Sequence, residues 1–182
     1  SIMPEGFEKQ VSETDLKDLL AFLTRRGKYL PLDLRKAADV VTTRGMFYSP
    51  ESPSERLVFD DWKTKEFQGV PYQLVDPKGD RVPNAIMLYG PNGATAPKMP
   101  RSVALDCNAP AKAIHILGGV GGWSYNGGEP RKTTSMIVRL YYADGQTEDH
   151  ALLDGVHLAD YIRPIDVPGS DRAFVLRGRQ VR

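Results

Sequence analysis

The chain has 182 residues, 41% hydrophobic and 26% charged, with a formal net charge of +1. That length and balance suit one globular domain, or one domain plus an appendage, burying roughly 70% of the surface its unfolded form exposes. They exclude a disulfide scaffold, because Cys107 is the only cysteine. The near-zero charge argues against a general binder of nucleic acid or of anionic membrane.

The first predicted element is a helix over residues 13 to 26. Ser12 caps it, and Asp15 stands at the capping-box position, where Glu or Gln is more usual. Leu16, Leu19, Leu20 and Leu23 make one apolar stripe, Arg25 and Arg26 suit the C-terminal end of the helix dipole, and Gly27 follows as the C′ residue. Residues 1–30 therefore read as a capped helix and linker, and 31–182 as a β-sandwich. The leucine stripe needs a surface, either the sandwich or a domain upstream. The two ends of the chain read as cut points in a longer protein.

Beyond residue 30 the helical period fades. "ADVVTT", "ERLVF", "FQGVPYQLV", "NAIMLYG", "RSVALDC", "AKAIHIL", "TSMIVRLYY", "QTEDHALL", "ADYIRPI" and "AFVLRGRQV" read as short strands divided by Pro, Gly, Asn and Asp. Ala143-Asp144-Gly145 is a hairpin turn signal. "SPESPSER" reads as a flexible Pro/Ser loop. Many short strands without intervening helices predict an all-β jelly-roll sandwich with one N-terminal α-helix. No apolar run approaches the ~18 residues that a membrane-spanning helix needs.

The motifs "FQGVPYQLVDPKGDRVPNAIMLYGPNG", "MPRSVALDCNAPAKAIHILGGVGGW" and "MIVRLYYADGQTEDHALLDGVHLADYI" resemble the galactose-binding-like jelly-roll domains of the NPCBM type, over most of residues 55 to 165. "MPEGFEKQVSETDLKDLLAFL" resembles the closing segment of bacterial haem-binding, c-type cytochrome-like modules. No CxxCH is present, so a haem attachment site would lie upstream of Ser1; Met3 reads as ordering the helix entry. The resemblance implies an accessory domain of a larger extracytoplasmic bacterial protein, periplasmic or extracellular. It implies a carbohydrate as partner and a neighbouring cytochrome-like module in the same chain.

Sugar binding needs a flat aromatic face and a few fixed polar groups. In "GGVGGWSYNGG", Trp123 and Tyr125 are the candidate platform, with Asn126 beside them; each aromatic also reads as a corner plug. Asp160, Tyr161 and Arg163 in "HLADYIR" complete the candidate ligand-binding set, although Tyr161 between Ala159 and Ile162 equally reads as core. Trp62 is either a second platform or the cover of a sheet edge.

A structural calcium ion would draw on Asp76, Asp80 and Asn84 around "DPKGDRVPN", where the plainer reading is a turn with solvated acids. His115 in "AIHIL" reads as a core residue. His150 and His157 have no known ligand rhythm. No other cofactor is expected in these residues.

No catalytic pair emerges. Ser124 lacks a nucleophile-elbow context. Asp60-Asp61 and Glu148-Asp149 are adjacent, so on strands each pair points to opposite faces. Cys107 reads as a small buried hydrophobe, and the basic "LRGRQVR" as a charged edge that resists aggregation. The function expected is non-catalytic carbohydrate binding, with a structural or interaction domain as the alternative.

Overall fold

Gln68 at φ 50° and Gly69 at φ 76° fold the chain back on itself. Two positive-φ residues between paired strands are the type I′ hairpin requirement. The strands are β1, Lys65–Phe67, and β2, Val70–Tyr72, paired antiparallel with Phe67 opposite Val70. These positions come from a computed structural model, which describes residues 12, 29–47, 49–89, 99–121, 124–125, 127–177 and 179–182. The chain divides into two units, Ser1–Leu30 and Pro31–Arg182. Of the first, only Ser12, Tyr29 and Leu30 are described, so the helix expected over 13–26 and Met3 lie outside the described residues.

In the second unit, β3 (Thr134–Tyr141) and β4 (Thr147–Leu153) form the longest hairpin, with a register irregularity between Thr134 and Met136. Their turn is closed by Tyr142 N donating to Gln146 O at 2.9 Å, with Gly145 at φ 84°. The period of two divides β3 into a half-buried row, Met136, Val138 and Leu140, and an exposed row, Ile137, Arg139 and Tyr141. On the exposed row Arg139 and Asp149 face each other as a cross-strand ion pair at 2.6 Å.

The last hairpin pairs β5, Phe174–Leu176, with β6, Arg179–Val181. Among the described residues the regular structure is therefore three two-stranded antiparallel sheets and one 3-10 turn, Pro53–Glu55, with no α-helix. Two expected single strands are hairpins instead. "FQGVPYQLV" breaks at Gln68-Gly69, and "AFVLRGRQV" breaks after Arg177, which sits at φ 48°.

Packing joins these pieces. Phe59 meets Trp62 at 5.8 Å and Phe174 at 6.0 Å between ring centroids, and Phe174 also meets Phe67 at 6.2 Å, all edge-on. This cluster joins β1 to β5. Leu158, Ala159, Tyr161, Val167 and Val181 are also buried. Asn84 links two loops: its Oδ1 accepts the Thr42 backbone N–H at 2.9 Å, and its Nδ2 donates to Thr42 Oγ1 at 3.0 Å.

"RSVALDC" is extended in character. From Ser102 to Pro110 exposed and half-buried residues alternate one by one, although no ladder hydrogen bonds accompany them among the described residues. "AKAIHIL" departs from expectation. Residues 111–116 are all exposed, with Ile114 at 44% and Ile116 at 42%, and among the described residues no strand pairs with them. His115, expected inside, is therefore exposed.

Candidate functional site

The glycine-rich stretch after His115 is clamped to the core on two sides. Gly118 N donates to Arg182 O at 2.6 Å, and Arg182 N returns a bond to Gly118 O at 2.7 Å. Two residues on, Val120 N donates to Ala159 O at 3.2 Å and Tyr161 N donates to Val120 O at 2.9 Å. That parallel bridge seats the loop against "HLADYIR". Gly121 meets the Phe47 ring so closely that a Cβ would overlap it, which explains a glycine there.

Tyr125 is held from both sides of its own peptide. Its N–H donates to the Asp154 carboxylate, at 2.9 Å to Oδ1 and 3.1 Å to Oδ2. Its carbonyl accepts the Asp160 N–H at 2.8 Å. The phenol hydroxyl donates to Gly128 O at 3.1 Å, and the residue as a whole is half-buried. Asp154 is itself buried at the end of β4, where its N–H donates to Thr133 O and its carbonyl accepts from Lys132 N. The next residue, Gly155, has φ 73°; a Cβ there would lie 2.8 Å from Pro130 Cβ and 3.0 Å from Tyr125 Cγ.

Asp160 is buried, and its Oδ1 accepts the Ile162 N–H at 2.8 Å. Burial pushes its carboxyl above the ordinary carboxylate value; the bond from Ile162 and the charges of Arg163 and Arg179 pull the other way. Arg163 is exposed three residues further on. Tyr161 is a core residue, only 5% exposed. Its hydroxyl donates to Glu55 O at 2.9 Å and its ring lies 5.8 Å from that of Phe47. Tyr161 thus offers no face for stacking, because its ring packs on Phe47 and its hydroxyl is bonded to Glu55 O. The structure brings Tyr125 and Asp160 together, leaves Arg163 exposed where its charge acts on Asp160, and withdraws Tyr161. Trp123 and Asn126 lie outside the described residues.

The remaining candidates are engaged locally. Trp62 is half-buried as the lid of the Phe59 cluster. Asp76 Oδ1 accepts the Lys78 N–H at 2.7 Å, closing a turn, and Asp80 is exposed, whereas Asn84 is buried on Thr42. His150 Nε2 lies 3.2 Å from Glu148 Oε1, and His157 Nδ1 accepts the Leu153 N–H at 3.0 Å. Among the described residues, no group of three or more His, Cys, Asp and Glu is placed to hold a metal ion. Asp61 pairs with Lys65 at 2.9 Å and Asp149 with Arg139, and the Cys107 thiol turns to Ala109 O at 3.7 Å.

Three residues that order this site escaped the sequence reading: Asp154, Glu55 and Phe47. Asp154 stands in "LLDGV", where Asp-Gly reads as a turn, and nothing local announces a carboxylate that reaches 29 positions back. Glu55 lies in the Pro/Ser loop expected to be a flexible crossing, yet it is 2% exposed, and its Oε2 accepts the Phe47 N–H at 2.8 Å. No family model, no curated protein and no solved structure matches this chain. Among the described residues, no helix is long and apolar enough to cross a membrane.

Proposed function

We propose that the chain is a non-catalytic carbohydrate-binding module built on a galactose-binding-like jelly-roll sandwich. In this reading it is an accessory unit of a larger extracytoplasmic bacterial protein that also carries a cytochrome-like module. The antiparallel hairpins and the near-absence of helix among the described residues support the sandwich.

One observation carries the binding reading. Tyr125 sits half-exposed in a glycine loop, with its peptide pinned by Asp154 and Asp160 and its hydroxyl pinned by Gly128. A ring held that way loses little freedom when a sugar stacks on it, and preorganisation is where a small contact area gains affinity. The polar groups a pyranose needs beside the ring are Arg163 and the backbone of the loop.

The test is a glycan array on the chain, followed by titration of the best oligosaccharide. Tyr125→Ala is expected to weaken binding by about 1–2 kcal/mol and Tyr125→Phe by less, since the stacking face is kept. An array without a hit, together with a clear loss of stability in Tyr125→Ala, would turn the reading over to its alternative. That alternative is a structural domain that positions a neighbouring module and takes no small ligand. It draws on the clamping of residues 118–121 and the burial of Tyr161, which make the loop a corner of the fold.

A further inference from the structure

Away from the glycine loop, a cleft of about 410 Å³ is lined by Thr43, Pro53, Arg56, Val58, Leu176, Arg177 and Arg179. Three of these seven residues are arginines and none is acidic. The cleft is assembled from distant parts of the chain. Arg56 follows the 3-10 turn, while Arg177 and Arg179 flank the reversal between β5 and β6. Pro53, Val58 and Leu176 supply apolar wall. A few convergent charged donors over apolar lining, in a volume of this size, is the usual make-up of a small-ligand site.

The arginines are only partly satisfied. Arg179 Nη2 donates to Ser54 O, and Arg56 Nη2 makes a long 3.4 Å bond to Glu51 O. The Nε atoms of both are buried, and neither has a hydrogen-bond partner among the described residues. None of the three arginines joins an ion pair among those residues. The nearby acids are turned to other work: Glu51 approaches Arg44, and Glu55 Oε2 accepts the Phe47 N–H. Both guanidinium groups line the cleft, and their Nη donors suit the oxygens of a carboxylate or sulfate, although the buried Nε atoms themselves are not open to it.

We propose that this cleft binds the oxyanion of an acidic saccharide, a carboxylate or sulfate ester carried on a pyranose ring, with Arg56 and Arg179 donating to it and Arg177 adding charge. The saccharide part rests on the carbohydrate-binding reading above; the oxyanion part stands on the arginines alone. The sequence assigned Arg177 and Arg179 to a charged edge. Their convergence with Arg56, more than a hundred positions away, exists only in the fold. With a net charge of +1 the chain has no broad field to gather a polyanion, so one pocketed anionic group fits better than a nucleic-acid backbone.

Calorimetric titration of the chain with four probes tests this: trigalacturonate, its fully methyl-esterified form, a sulfated chondroitin disaccharide and sodium sulfate. Binding of trigalacturonate or of the sulfated disaccharide is expected, and which of the two binds tells carboxylate from sulfate. The ester should bind at least about tenfold more weakly. Arg56→Gln and Arg179→Gln should each weaken the acid by about tenfold to a hundredfold, the size of a lost charged hydrogen bond. Arg177→Gln, at an exposed position, guards against misfolding of the other two and should weaken binding about tenfold or less, with an unchanged melting temperature. An ester bound as tightly as the acid would overturn the oxyanion site while leaving the carbohydrate reading standing. Arginine-dependent binding of sulfate with no saccharide bound would overturn the acidic-saccharide ligand, while the carbohydrate reading, tested by the glycan array, would stand. No binding of any probe would overturn the whole proposal.

Discussion

The Asp154 carboxylate accepts the Tyr125 backbone N–H with both oxygens, at 2.9 and 3.1 Å, across 29 positions of sequence. It does for an irregular loop what a ladder bond does for a strand. Asp154→Ala leaves that half-buried N–H without its acceptor and is expected to destabilise the chain by about 1–3 kcal/mol. Asp154→Asn keeps an oxygen in place and should lose less. Urea unfolding midpoints of the two variants check the order; equal losses would mean that the charge, not the bond, matters.

Gly155 and Gly121 are required for different reasons. Gly155→Ala places a side chain at φ 73° and against Pro130 and Tyr125, a strain plus an overlap worth about 2–4 kcal/mol. Gly121→Ala pushes into the Phe47 ring, and the loss should be about 1–3 kcal/mol, depending on how far Phe47 gives way. Thermal melts of both variants measure this. Because Phe47 packs on Tyr161, the near-ultraviolet circular dichroism should change in Gly121→Ala as well.

Tyr161 separates packing from hydrogen bonding. Tyr161→Phe removes the bond to Glu55 O and keeps the ring, and should cost about 0.5–1.5 kcal/mol. Tyr161→Ala empties a buried aromatic site and should cost about 3–5 kcal/mol. Denaturant titration distinguishes them, and neither change should alter glycan binding beyond the loss of folded chain.

The pH dependence follows from Asp160. Its carboxyl is held above its ordinary value of 3.8, chiefly by burial, so the folded chain keeps that proton to higher pH than the unfolded chain does. The native state then binds more protons, and the stability contributed by Asp160 is present below 3.8 and is lost as pH rises from 3.8 through the higher folded value. Asp160→Asn keeps an oxygen for the Ile162 N–H and removes the titration. Its stability relative to the parent chain should therefore rise with pH across that window and then level off. A difference that stays flat with pH would show that Asp160 titrates alike in both states.

Local chemistry made much of this protein legible beforehand. The alternation in "TSMIVRLYY" and "QTEDHALL" and the Ala143-Asp144-Gly145 turn specify the β3–β4 hairpin, because side-chain period and turn type act over a few residues. Tyr161, expected in the ligand set with a core reading beside it, was settled as core only by the fold. Gln68-Gly69 and Arg177 were harder, because a non-glycine residue at positive φ carries no strong mark of its own. What remained for the tertiary structure was every partnership between distant residues. It joined Asp154 to Tyr125, Glu55 to Phe47, Gly118 to Arg182, and Arg56 to the Arg177 and Arg179 turn. A carboxylate can bond a backbone N–H two residues on, as Asp76 and Asp160 do, or one far away, as Asp154 does, and its sequence neighbours do not reveal which. For Asp154 and Glu55 that choice comes with burial: both are almost wholly withdrawn from water, so their carboxylates must meet protein donors.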